Sequence, residues 1–436
     1  MKEKKKKLII GLLSISVIAS SFIAFSHAKY KVTESVDLAN GVINYEVGDA
    51  NLVGVYINTD NGYEKTDTVP DSGYVLNEEE SYCTVDKEKD TSITITYDTT
   101  SKTLAISPMT TKGTKCYLYF DEQKLIKDTL LANYPTRKTR SFPMSNSTVV
   151  EGNTTDTIYY ADTSKGRTYY FAGNPTDNWV KFGGFYWRII RINEDGTLRL
   201  IYQGTSDNTT GTGTQIGTST FSINGWTYNN NAYVGYMYTI GSLRGTSTES
   251  GVKKVVDDWY EANIKGTEYE KSISTEAGFC GDRTPSTSSS SINNSGGMGT
   301  TKTYYGGYIR LINSNMNPTF ECSNDSDLYT VKGSSKGNKA LDYPIGLISA
   351  DEVVYAGLAW SDTTTSNYLY TGQHYWTMSP YNFASGYALV FIVGSNGDLG
   401  SWGVDNAGGV RPVINLKADV QITGGNGSSD SPFEII

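Results

Sequence analysis

The chain has few of the residues on which most catalytic and metal-binding sites depend. Its only histidines are His27 and His374, and its only cysteines are Cys83, Cys116, Cys280 and Cys322. No pair of cysteines has CxxC spacing or nearby histidines, which excludes the usual zinc and thioredoxin-like redox motifs. Ser-His-Asp or Cys-His catalysis would have to be built on His374 once the N-terminal segment is removed. We therefore expect a protein that is not an enzyme and that needs neither a cofactor nor a metal.

Lysine is concentrated at the N-terminus. Lys2 and the lysines at positions 4–7 directly precede an uncharged, mostly apolar run over residues 8–25, a pattern typical of an export signal. The small residues of Ser26-His27-Ala28 predict cleavage after Ala28. An uncleaved anchor is the alternative, because 18 residues lie at the short end of the length that spans a bilayer. In both cases we expect a secreted or cell-surface protein that contacts the membrane only through residues 1–28.

The exported part has no excess of basic residues. The first 28 residues carry a charge of +4, so the remainder carries −13, compared with −9 for the whole chain. Without a basic stripe to neutralise phosphates, nucleic acid is not an expected partner. The 33 tyrosines and 45 glycines exceed average usage, and this composition is typical of turn-rich extracellular β structure.

The four cysteines fall in two regions, Cys83 with Cys116 and Cys280 with Cys322. Four cysteines allow three pairings, and the separation of the two regions favours two local disulfides. The chain-entropy model gives a Cys83–Cys116 bridge about 3 kcal/mol of stabilisation.

The chain divides by pattern into domains. Short β-favouring runs separated by polar turns occupy residues 29–121 and predict a β-sandwich-like spacer domain. Residues 122–156 combine a helical spacing of leucines with a polar loop, and we place the domain boundary in this linker. A larger domain is expected over residues 157–423, followed by a tail at 424–436.

The larger domain carries both helix and strand signals, which predicts an α+β fold. Residues 251–264 form the clearest amphipathic helix, and a second helix is expected after Ser349 as N-cap. The apolar run 387–393 predicts a strand covered on both faces, and the turn at 395–398 predicts a hairpin. Pro412 is expected at a sheet edge, or where its missing N–H does no harm. Trp187 and Trp376 are expected in the core.

Six motifs follow one another along the larger domain. They are Phe-Tyr-Trp-Arg-Ile-Ile-Arg-Ile at 185–192, Trp-Tyr at 259–260, Phe-Cys-Gly-Asp-Arg at 279–283, Tyr-Pro-Ile-Gly-Leu at 343–347, Tyr-Trp-Thr-Met-Ser-Pro at 375–380 and Gly-Val-Arg-Pro-Val at 409–413. In these motifs and their order the chain resembles a group of exported surface proteins of Firmicutes. Residues 157–422 thereby resemble the C-type-lectin-like fold, which is shared by retroelement-diversified receptor-binding proteins and the formylglycine-generating-enzyme superfamily. The resemblance implies two helices, a twisted antiparallel sheet and long loops that present a binding surface.

In the retroelement-diversified relatives, the variable positions lie between the tryptophan-containing strand and the Arg-Pro strand. The resemblance therefore implies a ligand-binding surface within residues 381–408, formed by the polar and aromatic side chains Tyr381, Asn382, Phe383, Ser385, Asn396, Asp398, Ser401, Trp402, Asp405 and Asn406. Rigid aromatic rings bury much area at low entropic cost, while short polar side chains adapt their hydrogen bonds.

Several alternatives stay open. Trp402 is also interpreted as a core residue that caps the hairpin. Oxygen ligands at 324–327 and 405–406 suit calcium, but the sugar-binding tripeptides Glu-Pro-Asn and Gln-Pro-Asp are missing, so no calcium is expected. Formylglycine-generating relatives need a cysteine pair near the C-terminus, and no cysteine follows Cys322 here. Paired carboxylates at a glycosidase separation are the remaining catalytic alternative.

The sequence as a whole favours an extracellular ligand-binding or adhesin-type protein that recognises a glycan or a protein through the loops of its C-terminal domain. The alternative, from another class, is a structural subunit of a surface fibre or matrix.

Overall fold

The computed structural model describes residues 35–37, 50–59, 61–70, 73–98, 103–107, 114–122, 124–151, 157–287, 296–312 and 316–435. The predicted export signal lies outside these residues. The chain forms two compact units, residues 1–124 and 125–436. Strands predominate over helices, which confirms a β-rich α+β protein. None of the helices in the described ranges is both long enough and apolar enough to span a bilayer.

The described residues of the first unit form strands arranged in two sheets. Its elements are β1 Ser35–Asp37, β2 Ala50–Thr59, β3 Gly62–Thr66, β4 Tyr74–Leu76, β5 Tyr82–Val85, β6 Glu88–Lys89, β7 Thr94–Asp98, β8 Thr103–Ser107 and β9 Thr114–Glu122. One sheet has the order β1-β8-β7, and the other has the order β3-β2-β9-β5-β6 with β4 also paired to β9. Central strand β9 runs parallel to β2 and antiparallel to β5.

Strand alternation on β9 builds the core of the first unit. Cys116, Leu118 and Phe120 are buried, whereas Tyr117 and Tyr119 between them are half-exposed. Cys83 on β5 stands directly opposite Cys116, and the two form a disulfide. This confirms the predicted pairing, which ties two neighbouring strands together inside the core.

The second unit contains all described helices. Its elements are α1 Ile126–Asn133, β10 Lys138–Thr139, α2 Asn146–Glu151, β11 Tyr159–Thr163, β12 Gly166–Tyr170, β13 Trp179–Phe182, β14 Phe185–Ile192, β15 Leu198–Gly204, β16 Gly217–Thr220, β17 Met237–Tyr238, β18 Thr248–Glu249, α3 Gly251–Asn263, β19 Phe279–Cys280, β20 Thr303–Tyr304, α4 Gly306–Leu311, β21 Leu328–Tyr329, β22 Ile345–Gly346, α5 Ala350–Tyr355, β23 Tyr375–Ala384, β24 Tyr387–Val393, β25 Leu399–Gly403, β26 Ala407–Val410, β27 Val413–Leu416, β28 Ile422–Gly424 and β29 Phe433–Ile435.

Two sheets dominate the second unit. A ten-stranded sheet follows the order β10-β11-β12-β14-β13-β29-β28, with β15, β27 and β22 continuing from β14. A six-stranded sheet has the order β16-β26-β23-β24-β25, with β20 paired to β23. Trp187 and Trp376 are fully buried in the core of this unit, as predicted. The second disulfide, Cys280–Cys322, also forms as expected.

The predicted helices at 251–264 and after Ser349 are both present. Ser250 caps α3 through the backbone N–H of Lys253, and Val252, Val256 and Tyr260 of α3 are buried. Ser349 and Glu352 form a reciprocal capping box at α5. Hydrogen bonds from these N-cap side chains explain why both helices begin where the sequence predicted.

The unit's boundaries differ from the sequence-based expectation. The stretch expected as a linker belongs to the second unit, because Ile126 and Leu130 of α1 and Val149 of α2 are buried in its core. The expected tail forms β29, which pairs with β13 through Phe433. Pro412 lies between β26 and β27, where no N–H is needed, and its carbonyl accepts a hydrogen bond from Tyr202 N–H.

Candidate recognition surface

The predicted binding segment forms the β23–β24–β25 part of the six-stranded sheet. β24 pairs antiparallel with both β23 and β25. The β23–β24 turn and the turn that follows β25 therefore lie at one end of β24, whereas the β24–β25 turn lies at the other. Successive residues of each strand point to opposite faces of the sheet. The ten predicted residues are consequently divided between both ends and both faces.

Two of the predicted residues are buried. Phe383 is only 1% exposed and stands opposite Ala388, and its neighbour Asn382 is 7% exposed. The reason is that β23 continues to Ala384, well into the segment expected to be a loop. The structure thus places these two side chains in the core and not on the exposed surface that the prediction required.

Tyr381 and Ser401 lie together on one face of the sheet. Tyr381 sits at a β-bulge of β23, and its ring stacks on Trp360 with centroids 5.1 Å apart. The edge of the Tyr381 ring also meets Phe391 at 5.0 Å. Burial raises the pKa of the Tyr381 hydroxyl, and both Tyr381 and Ser401 are half-buried. Contacts with Trp360 and Phe391 therefore cover most of the Tyr381 ring.

Asp398 and Trp402 lie beside His374, and Asn396 lies in the same β24–β25 turn as Asp398. Asn396 is exposed in the β24–β25 turn, and burial raises the pKa of the half-buried Asp398 carboxyl. The Trp402 ring lies 4.3 Å from the His374 ring and 6.3 Å from that of Trp376. Trp402 thus packs over the edge of the core, which agrees with the capping interpretation.

His374 is also within hydrogen-bond distance of a serine. Its Nδ1 accepts a hydrogen bond from the Ser395 backbone N–H at 3.2 Å, and its Nε2 is 3.2 Å from Ser395 Oγ. Burial lowers the pKa of His374 and favours the neutral ring. Because a neutral imidazole has one N–H, the proton must then lie on Nε2. A base that activates a serine needs a lone pair on that nitrogen and a carboxylate on the other. This pair has neither.

The opposite end of the hairpin carries an aromatic surface. Tyr387 begins β24, is 42% exposed and stacks on Tyr228 with ring centroids 4.3 Å apart and planes 8° apart. Ser385 is exposed in the preceding turn, and Asp405 and Asn406 form the turn after β25. We define the aromatic rim as Trp226, Tyr228, Ser385, Tyr387, Asp405 and Asn406.

Gly403 holds the polar and aromatic groups of the rim close together. A side chain at this position would lie 2.7 Å from Asp405 Oδ1 and 3.7 Å from the Tyr387 ring. The Asn406 side chain donates a hydrogen bond to the Gly403 carbonyl at 3.0 Å. Asp405 Oδ1 is buried and has no hydrogen-bond partner. The glycine therefore allows a carboxylate, an amide and a tyrosine to meet at one point.

Trp226 is the most exposed aromatic residue of the described chain. Its exposed fraction is 85%, and it follows Asn224 and Gly225, which both have positive φ. The Tyr228 carbonyl accepts a hydrogen bond from Ala388 N–H at 2.8 Å, which fixes this turn to β24. Only the Asn-Gly pair marks the turn in the sequence. The sequence gives no further sign that Trp226 and Tyr228 belong to this site, because the Tyr228–Ala388 hydrogen bond joins residues 160 positions apart.

A polar cavity of about 110 Å³ lies elsewhere in the second unit, and neither the rim residues nor His374 line it. Glu352 in its wall contacts Arg199 at 2.6 Å and Arg191 at 3.1 Å. Although burial opposes ionisation, the two arginines hold the pKa of Glu352 below its usual value. An acid for glycoside cleavage needs a raised pKa. This carboxylate is instead fixed as a structural anion.

One group of carboxylates has the spacing of a metal site. Glu249, Asp257 and Asp342 offer oxygen atoms within 4.8 Å of one another. The buried Lys253 ammonium lies among them, 2.6 Å from Glu249 and 3.0 Å from Asp342, and also pairs with Asp257. The Lys253 ammonium thus supplies the positive charge that balances these three carboxylates. The Asp327 carboxylate, considered above as a calcium ligand, is buried and paired with Arg283 at 3.0 Å.

No family model, curated protein or solved structure matches the chain. The resemblance to C-type-lectin-like domains stays a prediction.

Proposed function

We propose that this protein is an extracellular recognition protein that binds a glycan or a protein ligand through the aromatic rim and catalyses no reaction. The observation that carries the proposal is the 85% exposed side chain of Trp226. Tryptophan is highly buried on average, so an indole held in water by a fixed turn points to a contact surface.

The composition of the rim supports binding. Tyrosine and tryptophan bury large areas at low entropic cost, and the Tyr228 and Tyr387 rings are already stacked on each other without a ligand. Ser385, Asp405 and Asn406 add short polar groups around these rings. Binding surfaces commonly combine such an aromatic centre with a polar surround.

The two disulfides support an extracellular setting, because disulfides persist in oxidising compartments. The chemistry of the second unit supports binding without catalysis. The Nε2 atom of His374, which faces the Ser395 hydroxyl, is protonated in the neutral ring, and the Glu352 carboxylate is compensated by two arginines.

The test is an array of glycans and extracellular host proteins probed with the full chain and with Trp226→Ala. Ile240→Ala is the matched control, because Ile240 is a 56% exposed apolar residue outside the rim. We expect at least one ligand whose binding falls tenfold or more with Trp226→Ala and is unchanged with Ile240→Ala. A ligand signal that Trp226→Ala leaves intact would overturn the proposal. Concentration-dependent filaments without ligand binding would favour the fibre subunit.

A further inference from the structure

Five tyrosines of the first unit share the outer face of its six-stranded sheet. Tyr56 on β2 stands opposite Tyr119 on β9, and Tyr82 on β5 stands opposite Tyr117 on β9. Ring centroids in these pairs are 4.8 Å and 5.0 Å apart, and Tyr82 lies 6.3 Å from Tyr119. Tyr63 meets Tyr119 edge-on at 4.9 Å. We call these five residues the tyrosine ladder.

The tyrosine ladder is not part of the core. The buried residues of β9 alternate with Tyr117 and Tyr119, and all five ladder residues are half-exposed. The sheet also makes room for the ladder on its outer face, because a side chain at Gly54 would lie 2.7 Å from the Tyr56 ring. An antiparallel sheet with one face in solvent needs polar residues on that face. It does not by itself require a row of aromatic rings there.

The orientation of the rings decides which atoms the ladder presents. The planes of the stacked pairs differ by 11° to 25°. Rings stacked in this way cover one another's faces, so their edges and hydroxyl groups point outward. The ladder is therefore a row of hydrogen-bonding groups on an aromatic support, and not an apolar groove.

A fixed polar cluster lies at one end of the ladder. The Asp121 carboxylate accepts hydrogen bonds from the Tyr63 hydroxyl at 2.6 Å, from Asn77 at 2.8 Å and from Asn58 at 2.9 Å. Although burial opposes it, these donors lower the pKa of Asp121. Burial, together with Asp121, raises the pKa of Tyr63 to about 12. The carboxylate is thus charged and the hydroxyl protonated at neutral pH.

The position of the ladder argues against a peptide as its occupant. A peptide that adds as a strand needs an open sheet edge, but four of the five ladder tyrosines lie on β2, β9 and β5, which are paired on both sides, and only Tyr63 lies on the edge strand β3. A polyproline segment packs its proline rings against exposed aromatic faces that line a groove. In the ladder, those faces are covered by the neighbouring tyrosine rings. A polyhydroxylated chain, in contrast, matches both the row of hydroxyls and the Asp121 cluster.

We infer that the tyrosine ladder is a second binding site of this protein and that its ligand is an oligosaccharide chain. The first unit is then a carbohydrate-binding module in its own right, where the sequence indicated only a spacer. Lys115 and Lys89 lie beyond Tyr117 and Tyr82, with the Lys89 ammonium 5.2 Å from the Tyr82 ring. Both neutral and uronic acid chains fit this chemistry.

The inference is tested by electrophoresis of the full chain through gels that contain soluble neutral β-glucan, mannan or polygalacturonate. We expect retardation in at least one gel and a loss of tenfold or more in affinity for Tyr117→Thr/Tyr119→Thr, since threonine keeps the strand preference and removes both rings. Thr96→Ala, an exposed position on β7 of the other sheet, is the matched control and should be retarded like the wild type.

A second variant protects the test against misfolding. Tyr82→Phe/Tyr117→Phe keeps the stacked rings and removes two hydroxyls, and we expect a severalfold loss of affinity. Intact mass should confirm the Cys83–Cys116 bridge in each variant. Retardation in no gel, or stronger binding of a proline decamer than of any polysaccharide, would overturn the inference.

The result also separates the two sites. Retardation that survives both ladder variants and is lost with Trp226→Ala would place the sugar at the rim, supporting the proposed function and contradicting the ladder site. Retardation that is lost only with the ladder variants would support the ladder and leave the rim to be tested by its own array.

Discussion

The two units place their aromatic residues differently. In the first unit, Tyr56, Tyr82, Tyr117 and Tyr119 lie in a stacked row on the outer face of a sheet. The second unit buries most of its aromatic rings, including those of Trp187 and Trp376. Among the described aromatic side chains, only Trp226 and Tyr387 are exposed.

The difference follows from the size of the two cores. The first unit has a small cluster of buried apolar residues and includes its disulfide in that cluster. The second unit has a large continuous core in which aromatic side chains fill the space between two sheets. Rings that are buried serve stability, whereas rings that remain displayed after the core is filled are available for recognition. The predictions below test this division.

The largest effect is expected from Trp187→Ala. This residue is fully buried, and its indole N–H donates to the Phe182 carbonyl at 3.0 Å. The lost packing and the unsatisfied carbonyl should lower the free energy of unfolding of the second unit by about 3–5 kcal/mol. Urea unfolding followed by tryptophan emission measures this unit alone, because all seven tryptophans follow Leu125. A loss below 1 kcal/mol would contradict the assignment to the core.

Removal of the first disulfide comes next. Cys83→Ala with Cys116→Ala should destabilise the first unit by about 3 kcal/mol, because the bridge restricts its unfolded chain. Hydrogen exchange of peptides from β5 and β9 should accelerate, while the tryptophan-detected transition of the second unit should not move. Equal destabilisation of both units would show that they do not fold independently.

Tyr119→Thr should have a smaller effect. Cross-strand aromatic pairs contribute about 0.2–1 kcal/mol, and threonine suits a strand. We expect a loss of no more than about 1 kcal/mol, measured by hydrogen exchange in β9. Leu118→Ala is the matched control on the same strand and should cost about 2–5 kcal/mol, because Leu118 is fully buried. Similar losses for the two variants would place the ladder in the core.

The smallest change in stability is expected from Trp226→Ala. An exposed side chain contributes little to folding, so the free energy of unfolding should stay within about 0.5 kcal/mol of the wild type. The urea midpoint, read from the six remaining tryptophans, provides the check. A marked destabilisation would mean that Trp226 is a structural residue and would weaken the proposed function.

The sequence-based predictions that the structure confirms were made from local patterns. The apolar run of β24 followed by an Asn-Gly turn predicted the hairpin to β25, and the spacing of Val252, Val256 and Trp259 predicted α3. Both depend on residues close in sequence. The disulfide pairing was also correct, because each pair lies within its own unit.

The predictions failed where pairing is long-range. Phe383 was expected at the surface, but β23 extends through it and pairs it with Ala388. Trp226 reaches the rim because its turn bonds to β24, and Phe433 enters the sheet because β29 pairs with β13. No local pattern encodes these contacts. The segment-based prediction therefore includes Ser385, Asp405 and Asn406 of the proposed rim but not the aromatic residues beside them.

The most direct test of the account is a titration of the full chain with a ligand from the array, followed by the indole N–H signals of its seven tryptophans in nuclear magnetic resonance spectra. Trp226→Phe assigns the signal of the rim. We expect the ligand to shift the Trp226 signal and to leave those of the buried Trp187 and Trp376 in place. Saturating ligand that leaves the Trp226 signal unmoved would contradict this expectation.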